Sequence, residues 1–468
     1  MDGFPPVPAE ITRLIAIEIV RARGIKRALR LRRVNRSWDH EIVEAIVESG
    51  ILEENPKMKA YWTPFKAKYV MHKLQQREGL LSRGLRIVRK AAQRLVALRT
   101  GKPESETQEE VQEVLWEFCK VTQDFCRVTA DSWFEVPEEI TPIDDSGEAF
   151  RGALVAGAVA LNDLHLLQQV LPLVEDQDSR HLIYMQKEME DWVLCWPLNI
   201  AAYRGHAEAL RMLFEVLQHR LGFENACSTA LEYASAASQI ETVKLSRYPL
   251  GDSTFDYPYE NFLSEMEKKT PEVFDCLYEW QKDNLLRDHY NPWEIRDTEH
   301  ARSELRSRAY CQATSCGNLP IMKYLVSHGA PPKLDDRAPD DGDTYHTWMS
   351  VVADGGYDDV MEFLLENGQD ISSQSLEYAC RHGNPACVRI LLEHGARDSF
   401  KPGSALLEAV KGEHEQALRL LESNGSASED HRKQALELAE KEGLESMAQL
   451  IKEYMLRPPG LTGPRETT

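Results

Sequence analysis

One block of residues recurs along this chain at intervals of about 35, and a fixed period of that size selects a stack of like units over a single globular core. The block is clearest in PLNIAAYRGHAEALRMLFE (197–215), AYCQATSCGNLPIMKYLVSHGA (309–330), SVVADGGYDDVMEFLLENGQD (350–370) and SLEYACRHGNPACVRILLEHGA (375–396). Weaker copies are SALLEAVKGEHEQALRLLESNG (404–425) and QALELAEKEGLESMAQLIKEY (434–454), with three more degenerate ones earlier. Aligned on one turn position, the copies place Asn162, Gly205, Ser238, Lys269, Gly317, Gly356, Gly383, Gly412 and Gly443 in register, with intervals of 43, 33, 31, 48, 39, 27, 29 and 31.

Each block reads as two helices around a tight turn. A small residue stands four before the turn, as Ala158, Ala201, Ala234, Ala313, Ala379 or Ala439, where a first helix must approach its neighbour closely. Glycine at the turn takes positive φ without a steric penalty. Eight and nine residues later comes an apolar pair: Leu325 with Val326, Leu364 with Leu365, Leu391 with Leu392, Leu420 with Leu421. With Ile321, Val360 and Cys387 these pairs form the stripe of an amphipathic second helix. A further glycine closes that helix at Gly329, Gly368, Gly395 and Gly425.

This rhythm resembles the ankyrin repeat family, whose period is about 33 residues. The resemblance covers about 150–454 and implies an all-α, ankyrin-type helical repeat solenoid of about nine degenerate repeats. The family's opening Thr-Pro-Leu-His is represented only by Pro197 and Leu198, with Asn199 at the histidine position, which puts the hydrogen bonding of the hairpin turns in question. A generic helical array of another class is the alternative.

Ahead of the repeats, residues 7–46 read VPAEITRLIAIEIVRARGIKRALRLRRVNRSWDHEIVEAI. An apolar period through Ile11, Leu14, Ile15 and Ile19 is followed by a second segment ending in Leu31, Val34 and Trp38. This stretch resembles an F-box, a head that precedes ankyrin arrays in large families of filamentous fungal proteins. It departs from that pattern at Val7 and at the basic Arg21, Arg23 and Lys26. The resemblance implies that Pro8, Ile11, Ile15, Leu31, Val34 and Trp38 face or support the Skp-type adaptor of a cullin-RING ubiquitin ligase. The same residues would equally serve a helical hairpin that caps the array. The expected organisation is an F-box-like segment at 1–50, a helical linker or cap at 51–145, the repeats at 146–456 and a disordered tail at 457–468.

Charge and composition narrow the partners. Residues 1–102 hold 22 Lys and Arg against 10 Asp and Glu, whereas the rest hold 33 against 66, so a basic head joins an acidic body. An acidic body repels nucleic acid and anionic membranes, which points to protein partners, and nothing in the chain calls for more than a monomer. The basic amphipathic segment RGLRIVRKAAQRLVALR (83–99) carries Leu85, Val88, Ala92, Leu95 and Leu98 on one face, a pattern that either packs or binds membranes or calmodulin. MDGFPPVPAE has neither the basic start nor the apolar core of a secretion signal, so the expected location is the cytoplasm or nucleus, with the nine cysteines as thiols.

Catalytic and cofactor signatures are missing. The pair Gly101–Lys102 lacks the rest of a phosphate loop, His414–Glu415 lacks the second histidine of a zinc helix, and KLDDRAPDDGD misses the calcium-loop spacing. No cofactor, metal or catalytic residue is therefore expected, and the chain reads as a protein-binding scaffold. The alternative, resting on the head's resemblance, is an F-box-type substrate receptor. The long interval between Lys269 and Gly317 marks an insertion at 281–305, expected to loop out at one edge, with Tyr290 and Trp293 as candidate contacts for a partner or, alternatively, as a seal on adjacent helices.

Overall fold

The computed structural model describes residues 9–31, 36–54, 65–103, 108–124, 142–174, 183, 195–218, 223–247, 266–284, 298–334, 347–372, 374–397 and 403–456. Among these the regular structure is helical throughout, with no strand. The chain forms two compact units, Met1–Ala234 with Gln239–Ser253, and Ser235–Ser238 with Thr254–Thr468.

In the first unit, α1 (Ala9–Leu31) and α2 (Arg36–Glu48) form a hairpin, continued by the short α3 (Ile51–Glu54), α4 (Lys66–Leu74), α5 (Arg83–Thr100) and α6 (Gln108–Asp124). Gly24 breaks α1 with φ 75° and ψ 166°. Ala16, Val20, Ile25 and Ala28 of α1 share a core with Ile42, Ala45 and Ile46 of α2, with Tyr69 of α4 and with Phe65 just before it. Arg13 clamps the hairpin, with Nε 2.5 Å from Glu41 and Nη1 2.8 Å from Glu48.

Helical pairs follow: α7 (Glu148–Ala160) with α8 (Leu164–Val170), α9 (Pro197–Arg204) with α10 (Ala207–Leu217), and α11 (Phe223–Ala236) with α12 (Ile240–Arg247). First helix packs on first helix, as α7 on α9, and second on second, as α8 on α10 and α10 on α12. The basic helix α5 lies on α7 in the same manner. It buries Leu85, Val88, Ala92 and Leu95 together with Ile87, Ala91 and Val96 and leaves Leu98 half-buried, so packing takes up most of the apolar face. Close approach is made possible by Gly157, where an added Cβ would come within 2.5 Å of the Phe118 ring and 2.6 Å of Leu95.

The second unit holds α13 (Pro271–Asn284), then the pairs α14 (Thr298–Ser315) with α15 (Leu319–Ser327), α16 (Trp348–Gly355) with α17 (Asp358–Glu366), α18 (Ser375–His382) with α19 (Pro385–Glu393), α20 (Ser404–Lys411) with α21 (Glu415–Ser423), and α22 (Glu429–Lys441) with α23 (Glu445–Met455). First helices stack in the order α14, α16, α18, α20, α22, and second helices in the order α13, α15, α17, α19, α21. The expected small residues and stripes fill the interior: Ala313, Ala379, Ala439, Leu364 and Leu391 have no exposed surface.

The turns explain the period. Asn162, Gly205, Ser238, Gly317, Gly356, Gly383 and Gly443 all have positive φ, and in each case the next residue donates its backbone N–H to the carbonyl five positions back, as Asn384 does to Ala379 at 2.9 Å. Two of the expected turn positions differ. In the copy at 404–425 the left-handed residue is Glu413 (φ 54°), while Gly412 is right-handed. The register therefore moves by one, the small residue becomes Ala409, and the apolar pair becomes Leu421 with Glu422 in place of Leu420 with Leu421. Glycine was the obvious marker, but His414 still reaches back to Ala409 at 2.8 Å, and that bond fixes the frame. Lys269 is not left-handed; here the Ser238 hydroxyl donates to the Lys268 carbonyl at 2.6 Å and accepts from the Thr270 N–H at 2.9 Å.

Of the insertion expected at 281–305, residues 281–284 are the last of α13 and 298–305 the first of α14, while 285–297 lie outside the described residues. Stacking continues across it, since the Asn318 amide donates to the carbonyls of Met266 (2.7 Å) and Lys269 (2.8 Å).

Candidate partner-binding surfaces

At several turns the residue that follows joins one repeat to the one before it. His206 places Nδ1 2.9 Å from the Val159 carbonyl, Asn384 donates to the Ala353 carbonyl at 2.9 Å, and His414 places Nε2 3.1 Å from the Arg381 carbonyl. Where the preceding turn is glycine, the side chain sits where a Cβ would stand: at Gly383 it would lie 2.1 Å from the His414 ring, at Gly356 2.8 Å from Asn384 and at Gly317 2.3 Å from Tyr357. Glycine is thus required for space as well as for φ.

The doubt raised by the missing Thr-Pro-Leu-His is answered by hydroxyls and a carboxylate. Thr347 caps α16 by accepting from the Ser350 N–H, and the Ser350 hydroxyl continues through Ser372 (2.9 Å) to Ser375 (2.7 Å), the first residue of the next repeat's helix. In the following repeat the Ser404 hydroxyl donates to Glu377 at 3.0 Å. Asn199, at the histidine position, is buried with its Oδ1 unsatisfied among the described residues.

With that frame fixed, the first helices of three consecutive repeats present a linked set of side chains. His382 Nε2 lies 2.7 Å from Asp354, Arg381 bridges Glu377 (2.7 Å) and Glu408 (3.2 Å), and Lys411 reaches Glu408 at 2.6 Å. The Arg381 guanidinium also stands 4.9 Å from the centre of the Tyr378 ring. Partial burial opposes the charge on Arg381, but Glu408 and Glu377 outweigh it and raise its pKa; burial likewise opposes Glu408, and Lys411 and Arg381 outweigh it and lower its pKa.

The head offers a different surface. Ile11, Leu14 and Ile15 are 46%, 59% and 44% exposed, and with Glu18, Ile19 and Ala22 they line a shallow apolar strip on the side of α1 turned away from α2. Of the residues singled out from the sequence, Ile11 and Ile15 lie on this strip. Trp38 is half-buried against the hairpin core. Leu31 ends α1, and its side chain, like Pro8, Val34, Tyr290 and Trp293, lies outside the described residues. Leu14, the most exposed of the three, belonged to the apolar period but was not picked out as a contact.

Among the described residues, several of the head's cations are paired within its own unit. Besides Arg13, Lys68 meets Glu44 at 3.4 Å, Lys102 meets Glu110 at 3.6 Å, Arg99 meets Asp163 at 3.7 Å, and Lys90 pairs with Asp145. Cations already matched by carboxylates are poor counterparts for a phosphate backbone. Among the described residues no cluster of His, Cys, Asp and Glu could hold a metal ion, and no helix is long and apolar enough to cross a membrane.

Comparison with known proteins agrees with the geometry in the second unit. Residues 311–402 match the family model described as ankyrin repeats in three copies. Ankyrin repeats are present in this chain. A stretch amounting to 28% of the chain is 27% identical to part of a Caenorhabditis elegans protein, "Ankyrin repeat and KH domain-containing protein mask-1", and spans 6% of that protein's length. Ankyrin repeats are a protein-interaction fold and typically a non-enzymatic one, because stacked units offer a broad, shallow surface in place of a converging pocket.

Proposed function

We propose that the protein is an interaction scaffold that binds a partner protein on the first-helix face of its ankyrin repeats, around Tyr378, Arg381 and His382. The observation that carries this is the pairing of Asp354 with His382 and of Arg381 through Glu408 with Lys411 across successive repeats, which holds charged groups beside Tyr378 in fixed positions before any partner arrives. Preorganised Tyr and Arg side chains lose little entropy on docking and are typical centres of binding energy. Proximity labelling in the native cell, comparing wild type with Tyr378→Ala/Arg381→Ala, tests the reading. Loss of a defined set of neighbours supports it; an unchanged set overturns it. The buried thiols of Cys119, Cys227, Cys380 and Cys387 fit a reducing compartment, in keeping with action in the cytoplasm or nucleus.

A second reading, the F-box-type substrate receptor, is favoured by the exposed Ile11, Leu14 and Ile15 strip on the head. In that case Ile15→Asp abolishes capture of a Skp-type adaptor in a pull-down while Arg21→Ala leaves it intact. Equal loss from both variants, or no capture by wild type, removes this reading.

A further inference from the structure

The first helices carry one position, five residues before each turn, that is sealed in the first unit and open in the second. In the first unit α6 packs against α5 and α7, and its Glu117 pairs with Arg204 of α9 at 3.7 Å. It seats the Phe118 ring at Gly157, five before the turn at Asn162, and both Gly157 and its counterpart Ile200 are buried. In the second unit the same position reads Gln312, Val351, Tyr378, Glu408 and Leu438, exposed at Gln312 and half-buried at the other four. Each of α16, α18 and α20 thus leaves an apolar group partly open to water: Val351, Tyr378 and, one residue before Glu408, Leu407.

We propose that this row receives a basic amphipathic helix of a partner protein, laid across α16, α18 and α20 with apolar residues seven apart. The inference rests on the scaffold reading and names the occupant of its surface. A helix is selected because α6 already occupies that position in the first unit, with Phe118 at Gly157 and Glu117 on Arg204. The spacing follows from geometry. Packed helices stand about 8 to 10 Å apart, and seven residues of a helix rise about 10.5 Å, so a heptad brings one side chain to each repeat. Residues seven apart drift only about 20° around the helix and therefore stay on one stripe. The charge follows from the body. Residues 103–468 hold 33 Lys and Arg against 66 Asp and Glu, a field that draws in cations. On the row itself Arg381 and Lys411 are already joined to Glu377 and Glu408, and His382 to Asp354, so an acidic partner finds no spare cation among them.

The probe is a fluorescein-labelled peptide of about 21 residues, roughly 30 Å as a helix, with three leucines seven apart and alanine, lysine and glutamine elsewhere, its helicity checked by circular dichroism. Anisotropy titration against the full-length protein should show binding that weakens at least tenfold when the leucines are set five apart, which scatters them around the helix. Replacing every lysine of the peptide by glutamate should weaken it at least tenfold as well. Val351→Ser and Tyr378→Ala should each weaken binding at least threefold with the melting temperature unchanged. Because Tyr378 is half-buried and its variant can lose stability, the rearranged peptides test the spacing on the wild-type protein alone. Equal affinity for the two leucine spacings, or affinity that both protein variants leave unchanged, reduces the contact to general charge attraction and overturns the proposal. If no peptide binds while proximity labelling still depends on Tyr378 and Arg381, the helix is wrong and the scaffold reading stands. Labelling indifferent to both residues removes the scaffold reading and this inference with it.

Discussion

The hairpin of α18 with α19 and the hairpin of α1 with α2 are built from similar amphipathic helices and end in opposite situations. The repeat has a neighbour on each side, so its apolar residues, such as Leu391 and Val388, disappear into the stack. The head closes one face of α1 over Ile42 and Ile46 and leaves the other face open. In the repeats an apolar residue is therefore a packing residue; on the head it is a contact waiting for cover.

Truncation inside a repeat is the strongest test of this contrast. Leu391→Ala should lower unfolding stability by about 3 kcal/mol, the range for a large-to-small change at a sealed site, measured by chemical denaturation. A loss under about 0.5 kcal/mol would mean that the stack does not seal Leu391. Next comes a repeat position where a buried charge replaces an apolar residue. The Glu422 side chain has 0% exposure and takes a forked contact from Arg432, with Nε at 2.9 Å and Nη2 at 2.7 Å. Glu422→Ala should destabilise by about 2 kcal/mol, whereas Glu422→Leu, which restores the apolar pair and lets the 24%-exposed Arg432 turn to water, should stay within about 1 kcal/mol of wild type. Equal losses from both would show that the charge pair itself, and not the filled volume, holds α21 to α22.

A smaller effect is expected at His206. Burial pushes its pKa below the usual 6.5, against the opposing bond to the Val159 carbonyl. The unfolded chain then takes up the proton first as pH falls, so the contribution is intact above about 6.5 and is lost as pH falls below it. Denaturation midpoints at pH 7.5 and 5.5 should separate in the wild type and draw together in His206→Gln. The smallest effect on stability belongs to the head: Ile15→Asp, on an exposed strip, should change unfolding by less than about 0.5 kcal/mol. A loss of several kcal/mol would make the strip part of the core and erase the contrast.

The sequence disclosed the two-helix unit because glycine and a sealed leucine stripe are each demanded by local physics. It misplaced the turn of the copy at 404–425 because Gly412 and Glu413 are adjacent and only the backbone bond from His414 to Ala409 separates them. It could not see that Ser350, Ser372 and Ser375 replace the missing Thr and His, since a hydroxyl relay depends on atoms from two repeats meeting in space. On the head, both faces of α1 are apolar, Ile11, Leu14 and Ile15 on one and Ala16 and Val20 on the other. A helical period finds both and cannot choose the buried one.

The seat offered by each turn glycine has a consequence for engineering. At Gly317, Gly356 and Gly383 that seat is filled by a side chain of the following repeat, whereas at Gly443, with the same left-handed backbone, no described atom stands within 4 Å of the missing Cβ. A grafted module that brings Asn or His to the residue after its own turn would find a ready-made socket there, so the array can be lengthened at α22 and α23 without redesigning an existing repeat.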